Sequence, residues 1–293
     1  MARNVLTIKD LGSEICWMLV QQAIGIPDAK LQSDFMTERV ALLVFARHSL
    51  PERLCVTAAV RQMGGTTIFE GCESDVWQKE ASGFQEHLMP IFGYYLDCLY
   101  AYGLPVTSWN ISETEVRFPV INAGSPDAHP VHALADIACM LRISRYLKGV
   151  TAAWVGCVNG TLHSLIEATA WFPFALRVAV PRQFDTGALE ARAARIGSPV
   201  SFVYSPEEAV HDANFVFAGY RGTLDAEEQA LWGISPELMA KARPDARLFL
   251  SASPVRAIPV APAVLSSRAS QLVRQAEYRL RVHKRILHWV FEG

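Results

Sequence analysis

Residues 150–165 read Val-Thr-Ala-Ala-Trp-Val-Gly-Cys-Val-Asn-Gly-Thr-Leu-His-Ser-Leu. An apolar run over residues 151–155 has the composition of a buried strand, and a helical pattern follows over residues 162–171. Two glycines lie in the turn between them. A strand that leads through a short turn into a helix is the repeating unit of parallel sheets, so this stretch predicts an α/β fold.

The same alternation of strand and helix patterns extends over most of the chain. Strands are predicted at residues 39–45, 66–69, 98–102, 151–155, 176–180, 200–204, 215–218 and 247–250. Helices are predicted at residues 51–63, 83–96, 130–146, 162–171, 186–196, 206–212, 236–242 and 266–291. The pattern predicts two doubly wound parallel sheets covered by helices, and the helix at 130–146 links the two halves.

The composition excludes several classes of protein. The 293 residues include 27 Lys and Arg against 29 Asp and Glu, and 51% are apolar. A disordered chain needs low hydrophobicity and high net charge, and a nucleic-acid binder normally has a basic excess or a basic face. No apolar run approaches the roughly 20 residues that span a membrane. We therefore expect a globular protein with neither nucleic acid nor membrane as a partner.

The cysteines and the N-terminus indicate a cytoplasmic location. The six cysteines are scattered in apolar contexts and form no CxxC pair, which is typical of reduced, buried thiols. The first ten residues contain no apolar core of a secretory signal.

Four segments at predicted strand ends carry polar residues. Residues 45–53, 120–136, 153–165 and 275–280 occur in this order along the chain. Together they resemble the ornithine/aspartate carbamoyltransferase family, and more closely its ornithine branch. The most specific matches are His129-Pro130 with Leu134-Ala135-Asp136, Trp154-Val155-Gly156 with Asn159 and Ser164, and Ala276-Glu277 with Arg279-Leu280.

The resemblance implies the organisation of the chain. Residues 1–130 are expected to form a carbamoyl-phosphate-type domain, to which a C-terminal helix over residues 271–293 returns. Residues 131–270 are expected to form an amino-acid-binding-type domain. The resemblance also implies a homotrimer, or a multiple of one, acting on a small amino-acid-like substrate without a cofactor.

The phosphate-binding loop departs most from the family. Relatives read Ser-Thr-Arg-Thr-Arg, whereas residues 49–53 read Ser-Leu-Pro-Glu-Arg. The central arginine, which in the family holds the phosphate, has become Pro51. A helix N-terminus attracts anions, but Ser49 and Glu52 have the spacing of a capping box, in which the protein's own side chains satisfy the first N–H groups. We therefore expect a well-capped helix that disfavours carbamoyl phosphate.

Other positions that match the family's substrate contacts also differ. Tyr102 occupies the position where the family has a second arginine, and His132 the position where it has a glutamine. Gly219 occupies the position of the aspartate that binds ornithine in the family. Residues 251–254 read Ser-Ala-Ser-Pro in place of His-Cys-Leu-Pro.

The candidate site residues follow from these matches. We predict His129 and Arg279 as catalytic residues that polarise a carbonyl group. The predicted substrate-binding residues are Ser49, Arg53, His132, Asn159, His163, Ser164, Ser251 and Ser253. Arg47, His48 and Arg53 are possible replacement cations for an anionic ligand. His129 and His132 lie three residues apart on one helix face, but the sequence offers no evident third ligand, so no metal is predicted.

Two functions remain open. The first is a divergent transferase with an altered donor site, acting in specialised metabolism. The second is a catalytically inactive ligand-binding or regulatory homologue. A nucleotide-binding oxidoreductase is disfavoured because residues 156–160 lack the GxGxxG spacing and the following predicted strand ends in Pro-Arg rather than an acidic residue.

Overall fold

The computed structural model describes residues 2–71, 89–108, 116–219, 231–251 and 260–292. The chain divides into two compact units. Unit 1 comprises Met1–Ala138 and Ala276–Gly293, and unit 2 comprises Cys139–Gln275. In chain order, the principal elements are α1 (Ile8–Gly25), β1 (Val40–Phe45), α2 (Leu50–Gln62), β2 (Thr66–Gly71), β3 (Cys98–Tyr102), β4 (Val120–Gly124), α3 (Pro130–Ser144), β5 (Val150–Gly156), α4 (Gly160–Ala168), β6 (Phe174–Ala179), α5 (Gly187–Arg195), β7 (Val200–Val203), α6 (Pro206–Val210), β8 (Phe215–Gly219), α7 (Pro236–Met239), β9 (Arg247–Leu250), α8 (Pro262–Leu265) and α9 (Leu272–Phe291).

Each unit contains one parallel sheet. The strand order is β2-β1-β3-β4 in unit 1 and β7-β6-β5-β8-β9 in unit 2, and every neighbouring pair is parallel. The central strands β1 and β5 are almost wholly buried, which explains their continuous apolar sequences. The predicted α/β class with two parallel sheets is confirmed.

The predicted strands all form, with small shifts at their ends. The predictions for residues 98–102 and 247–250 coincide with β3 and β9. Helix α1 and strand β4 were not among the predicted elements. Of the helix predicted at residues 83–96, residues 83–88 lie outside the described residues, whereas residues 89–92 are helical and residues 93–95 form a turn. The C-terminal helix starts at Leu272 rather than at residue 266 because the short helix α8 and a turn precede it.

The C-terminal helix packs within unit 1 through two buried cations. The Arg281 guanidinium donates to the carbonyl oxygens of Ala23 and Ile26, near the end of α1. Lys284 Nζ donates to the carbonyl oxygens of Ala29, at 2.7 Å, and Leu31, at 2.6 Å. These bonds satisfy carbonyl groups in the last turn of α1 and in the segment after it. They also confirm that the C-terminal helix returns to the first domain.

Two glycines explain the turn at the end of β5. Gly156 has a φ of +119°, and a Cβ there would lie 2.0 Å from the Gly219 carbonyl oxygen. A Cβ on Gly219 would lie 2.5 Å from the Trp154 indole. The ends of β5 and β8 therefore approach too closely for any side chain at either position.

Within the described part of the chain, no helix combines the length and apolar composition needed to cross a bilayer.

Candidate active site

Three helical segments of unit 1 bring four polar side chains together. Glu52 comes from the first turn of α2, His129 and His132 from the beginning of α3, and Arg279 from α9. All four are buried, with between 3% and 8% of their surface exposed. We call them the histidine–glutamate cluster.

Glu52 is the hub of the histidine–glutamate cluster. Its Oε1 atom lies 2.7 Å from Nε2 of His132 and 3.8 Å from Nη1 of Arg279. The rings of His129 and His132 stack, with centroids 3.5 Å apart and planes 17° from parallel. The carboxylate thus faces both an imidazole and a guanidinium in a buried environment, where charge interactions are stronger than in water.

A glycine makes room for His129. Gly124, the last residue of β4, has a φ of +135°, and a Cβ there would lie 2.7 Å from Nε2 of His129. The prediction of His129 as a site residue rests on its match to the family and not on this packing. The geometry adds a local reason for glycine at position 124: both its backbone conformation and its neighbour exclude a side chain.

The histidines of this region stay neutral at pH 7. Burial is the largest cause that lowers the pKa of both His129 and His132 well below the usual value, and the positive charge of Arg279 adds to the effect. Neutral imidazoles can accept a proton or a hydrogen bond, while the Arg279 guanidinium donates. The cluster can therefore polarise a carbonyl group or bind a ligand through nitrogen lone pairs.

His283 is a neighbouring residue that the sequence analysis missed. It is fully buried, and burial is the main cause that lowers its pKa to about 4. The negative charge of Glu52 raises this pKa by a smaller amount, and the positive charge of Arg279 lowers it further. Its ring meets Tyr100 edge-on, with centroids 5.5 Å apart. It follows Arg279 by four residues on α9, so helical spacing places both on one face and could have identified it.

The predicted capping box is wrong. Ser49 is the N-cap residue of α2, but its side chain makes no capping hydrogen bond. Glu52 binds His132 instead, because a buried imidazole N–H and a nearby guanidinium offer the carboxylate stronger partners than the helix amides. Proline in the first turn of α2 is accommodated as expected.

The other cations near α2 do not belong to the histidine–glutamate cluster. Arg47 and His48 are exposed, as is Arg53. The Arg53 guanidinium lies over the Phe69 ring, 3.9 Å from its centroid. This contact is a cation–π interaction and gives Arg53 a packing partner within unit 1.

The remaining predicted residues belong to unit 2. Asn159 caps α4: its Oδ1 accepts from the backbone N–H groups of Thr161 and Leu162, and its Nδ2 donates to Ser251 Oγ at 3.1 Å. Ser251 in turn donates to the Ala218 carbonyl at 2.9 Å.

His163 and Ser164, two further predicted substrate-binding residues, lie on α4. Ser164 is fully buried and His163 is half-buried. Ser253 lies outside the described residues. The structure thus brings Asn159 and Ser251 into contact at the ends of β5 and β9, where ligands bind in open parallel sheets.

The structure adds Glu52 as a third possible metal ligand beside His129 and His132. One possible ligand atom from each of Glu52, His129 and His132 lies within 4.8 Å of those from the other two. The third residue is distant in sequence, which is why spacing alone did not reveal it.

Comparison with known families covers both units. The family model described as aspartate/ornithine carbamoyltransferase, carbamoyl-P binding domain, matches residues 3–142. The model described as aspartate/ornithine carbamoyltransferase, Asp/Orn binding domain, matches residues 148–290. The chain therefore belongs to the aspartate/ornithine carbamoyltransferase family.

Individual relatives agree with this assignment. An ornithine carbamoyltransferase of Nitratidesulfovibrio vulgaris is 30% identical over 301 aligned positions, which cover 99% of each chain. The ornithine carbamoyltransferase of Bacillus subtilis is 28% identical and covers 97% of this chain and 92% of its own.

Solved structures share the fold. The ornithine carbamoyltransferase of Thermus thermophilus superposes with a TM-score of 0.86 at 21% identity, covering 99% of both chains. That of Burkholderia thailandensis gives a TM-score of 0.85 at 24% identity, also over 99% of both. At this identity the similarity establishes the architecture alone.

Proposed function

We propose that the chain is a divergent transferase of its family, acting on an amino-acid-like substrate in specialised metabolism, with a donor site that no longer suits carbamoyl phosphate. The observation that carries this proposal is the buried carboxylate of Glu52 in the first turn of α2, bonded to His132 and close to Arg279. Unit 1 is then the donor-type domain and unit 2 the acceptor-type domain.

The charge of Glu52 supports an altered donor. A dianionic donor at the start of α2 would meet a buried cluster in which the Glu52 carboxylate already balances the positive charge of Arg279, so the cluster offers the donor no net positive charge. Pro51 stands where relatives have the phosphate-binding arginine, and Arg279 is already close to Glu52. A donor with a neutral carbonyl group fits the neutral His129 and His132 better than one with a phosphate.

Unit 2 supports an acceptor other than ornithine. The matching position of the ornithine-binding aspartate is Gly219, where any Cβ would meet the Trp154 indole at 2.5 Å. Asn159 and Ser251 keep polar groups at the strand ends. We propose that they, with His163 and Ser164, bind the backbone-like part of an amino-acid-like substrate.

The alternative is a catalytically inactive ligand-binding or regulatory homologue. It is favoured by the ion pair between Glu52 and Arg279, because that pair engages one of the two predicted catalytic side chains. Tyr102 and Ser251, which stand where relatives use an arginine and a histidine, add to it.

A combined binding and turnover screen separates the two functions. Thermal shift is measured with carbamoyl phosphate, phosphate, ornithine and other diamino acids, and product formation with a panel of acyl donors. The proposal predicts a shift with at least one amino acid, and amine acylation that is lost in His129→Gln. A shift without turnover by any donor supports the inactive homologue, and citrulline formation from carbamoyl phosphate overturns the altered donor site.

Assembly and location are also proposals. Three apolar side chains on the outer face of unit 1, Leu50, Leu54 and Ile68, are each at least 50% exposed, which supports burial in a homotrimer. The five cysteines in the described ranges are thiols rather than disulfides, which supports the reducing cytoplasm.

A further inference from the structure

Glu52, His129 and His132 form a ligand set that zinc sites use. Two imidazoles and one carboxylate are the protein ligands of several zinc enzymes, and they leave a fourth position open. All three residues are at least 92% buried, so a bound ion would be shielded from bulk water. Their ligand atoms already lie within 4.8 Å of one another.

We propose that this triad binds one divalent zinc-like metal ion. Zinc bonds of about 2.1 Å place neighbouring tetrahedral ligands roughly 3.4 Å apart. The ligand atoms lie within 4.8 Å of one another, so closing the triad to that spacing shortens the widest pair by at most about 1.4 Å. The 2.7 Å hydrogen bond between His132 Nε2 and Glu52 Oε1 is lost if His132 binds the ion through that nitrogen.

The carboxylate offers an atom for the metal. Both His132 and Arg279 approach Oε1 of Glu52. Among the described residues, Oε2 of Glu52 has no hydrogen-bond partner although it is buried. Arg279 can therefore stay beside Oε1 and orient the carboxylate while Oε2 binds the ion, as partners of metal-binding carboxylates generally do.

The imidazoles are in the protonation state that metals need. Burial lowers the pKa of His129 and His132, so both carry lone pairs at neutral pH. Their rings are nearly parallel, so at least one must turn for both lone pairs to reach a common centre. Binding should therefore break the ring stack.

Charge determines the fourth ligand. With both imidazoles neutral, the charges of Glu52 and Arg279 cancel, so a divalent ion leaves two positive charges in a buried place. Hydroxide or the carboxylate of a bound ligand would reduce this charge. This inference goes beyond the proposed function, because it concerns what the triad holds and not what the chain transfers.

Metal binding is tested on the full-length, untagged protein. Metal content is measured by mass spectrometry after dialysis against zinc, and Co²⁺ is titrated while the visible band of tetrahedral cobalt is followed. We expect one ion per chain in the wild type. Glu52→Gln and His132→Gln should each weaken binding at least about 100-fold, since even second-shell changes cost 10- to 100-fold.

A surface histidine provides the matched control. His211 has a side chain that is 73% exposed and lies in unit 2, so His211→Gln should bind metal like the wild type. Wild-type protein that takes up no cobalt, or full binding by Glu52→Gln, would overturn the proposal. The wild-type titration decides the matter even if a variant fails to fold. Because metal content is read without any donor, failure here is distinct from failure in the turnover screen.

Discussion

Glu52 shows how one residue changes the contacts inside a family fold. The resemblance to the family implies threonine at the position of Glu52 and glutamine at the position of its partner His132. Here the two side chains meet at 2.7 Å, in a buried region. A charge-assisted hydrogen bond thus joins two positions that are 80 residues apart.

His283 should make the protein acid-labile. Its folded-state pKa is lowered to about 4 by burial, while an unfolded histidine titrates near 6.5. Between these values the unfolded chain binds the extra proton, so stability falls as pH falls from about 6.5 to 4. The loss from this group is about 3 kcal/mol.

Urea unfolding over this pH range measures the effect. His283→Gln should show a shallower decline of unfolding free energy with falling pH, and the control His211→Gln should follow the wild type. If the unfolding free energy of the wild type and of His283→Gln declined equally with falling pH, the lowered pKa of His283 would be contradicted.

At this scale the sequence predicts which residues lie close together better than it predicts the contacts they make. His129, His132 and Arg279 were identified by their match to the family and do come together. The partner of His132 was not foreseen, because Glu52 was interpreted through its neighbours along the chain. Local spacing favours a cap, whereas burial against α3 and α9 gives the carboxylate a different partner.

At the scale of elements, the turn after β5 and β8 depends on Gly219. Gly219→Ala would place a Cβ 2.5 Å from the Trp154 indole, and Trp154 is fully buried and unable to move freely. We expect a loss of about 1–3 kcal/mol of unfolding free energy by urea denaturation. Gly25→Ala is the matched control, since a Cβ there meets nothing within 4 Å and should be neutral or stabilising.

The contact between α9 and the end of α1 should depend on Lys284. Lys284→Met would leave the Ala29 and Leu31 carbonyls without this donor, and we expect a loss of about 1–3 kcal/mol, measured by urea denaturation. Arg274→Met, on an exposed face of the same helix, should change stability by less than about 0.5 kcal/mol. An equal effect of both variants would contradict the role of Lys284.

Elements with strong periodicity were predicted well, and the others were not. Buried strands such as β1 and β5 are continuous apolar runs, which only a sheet covered on both faces requires. Helix α1 was missed; its backbone is interrupted at Gly12, where φ is +74°. The predicted extent of α9 was too long because residues 266–271, Ser-Ser-Arg-Ala-Ser-Gln, contain no glycine or proline that would mark the start of the helix.

At the scale of the whole molecule, the exposed apolar face of α2 and β2 should govern assembly. Leu54 is 57% exposed and Ile68 50% exposed. Light scattering after size exclusion should give the mass of a trimer for the wild type and smaller species for Leu54→Lys. Lys148→Glu, on an exposed turn of unit 2, is the control for a change of charge alone. A monomeric wild type would contradict the proposed trimer.

We propose that this member of the family does not bind carbamoyl phosphate as a donor. Isothermal titration of the wild-type protein with carbamoyl phosphate, in the presence of a metal chelator, tests it most directly. Because Glu52 occupies the start of α2 and Pro51 replaces the arginine, we predict binding weaker than about 1 mM. Pro51→Arg should bind no better, since the Glu52 carboxylate remains. Saturable binding of one carbamoyl phosphate per chain, tighter than about 1 mM, would contradict the account.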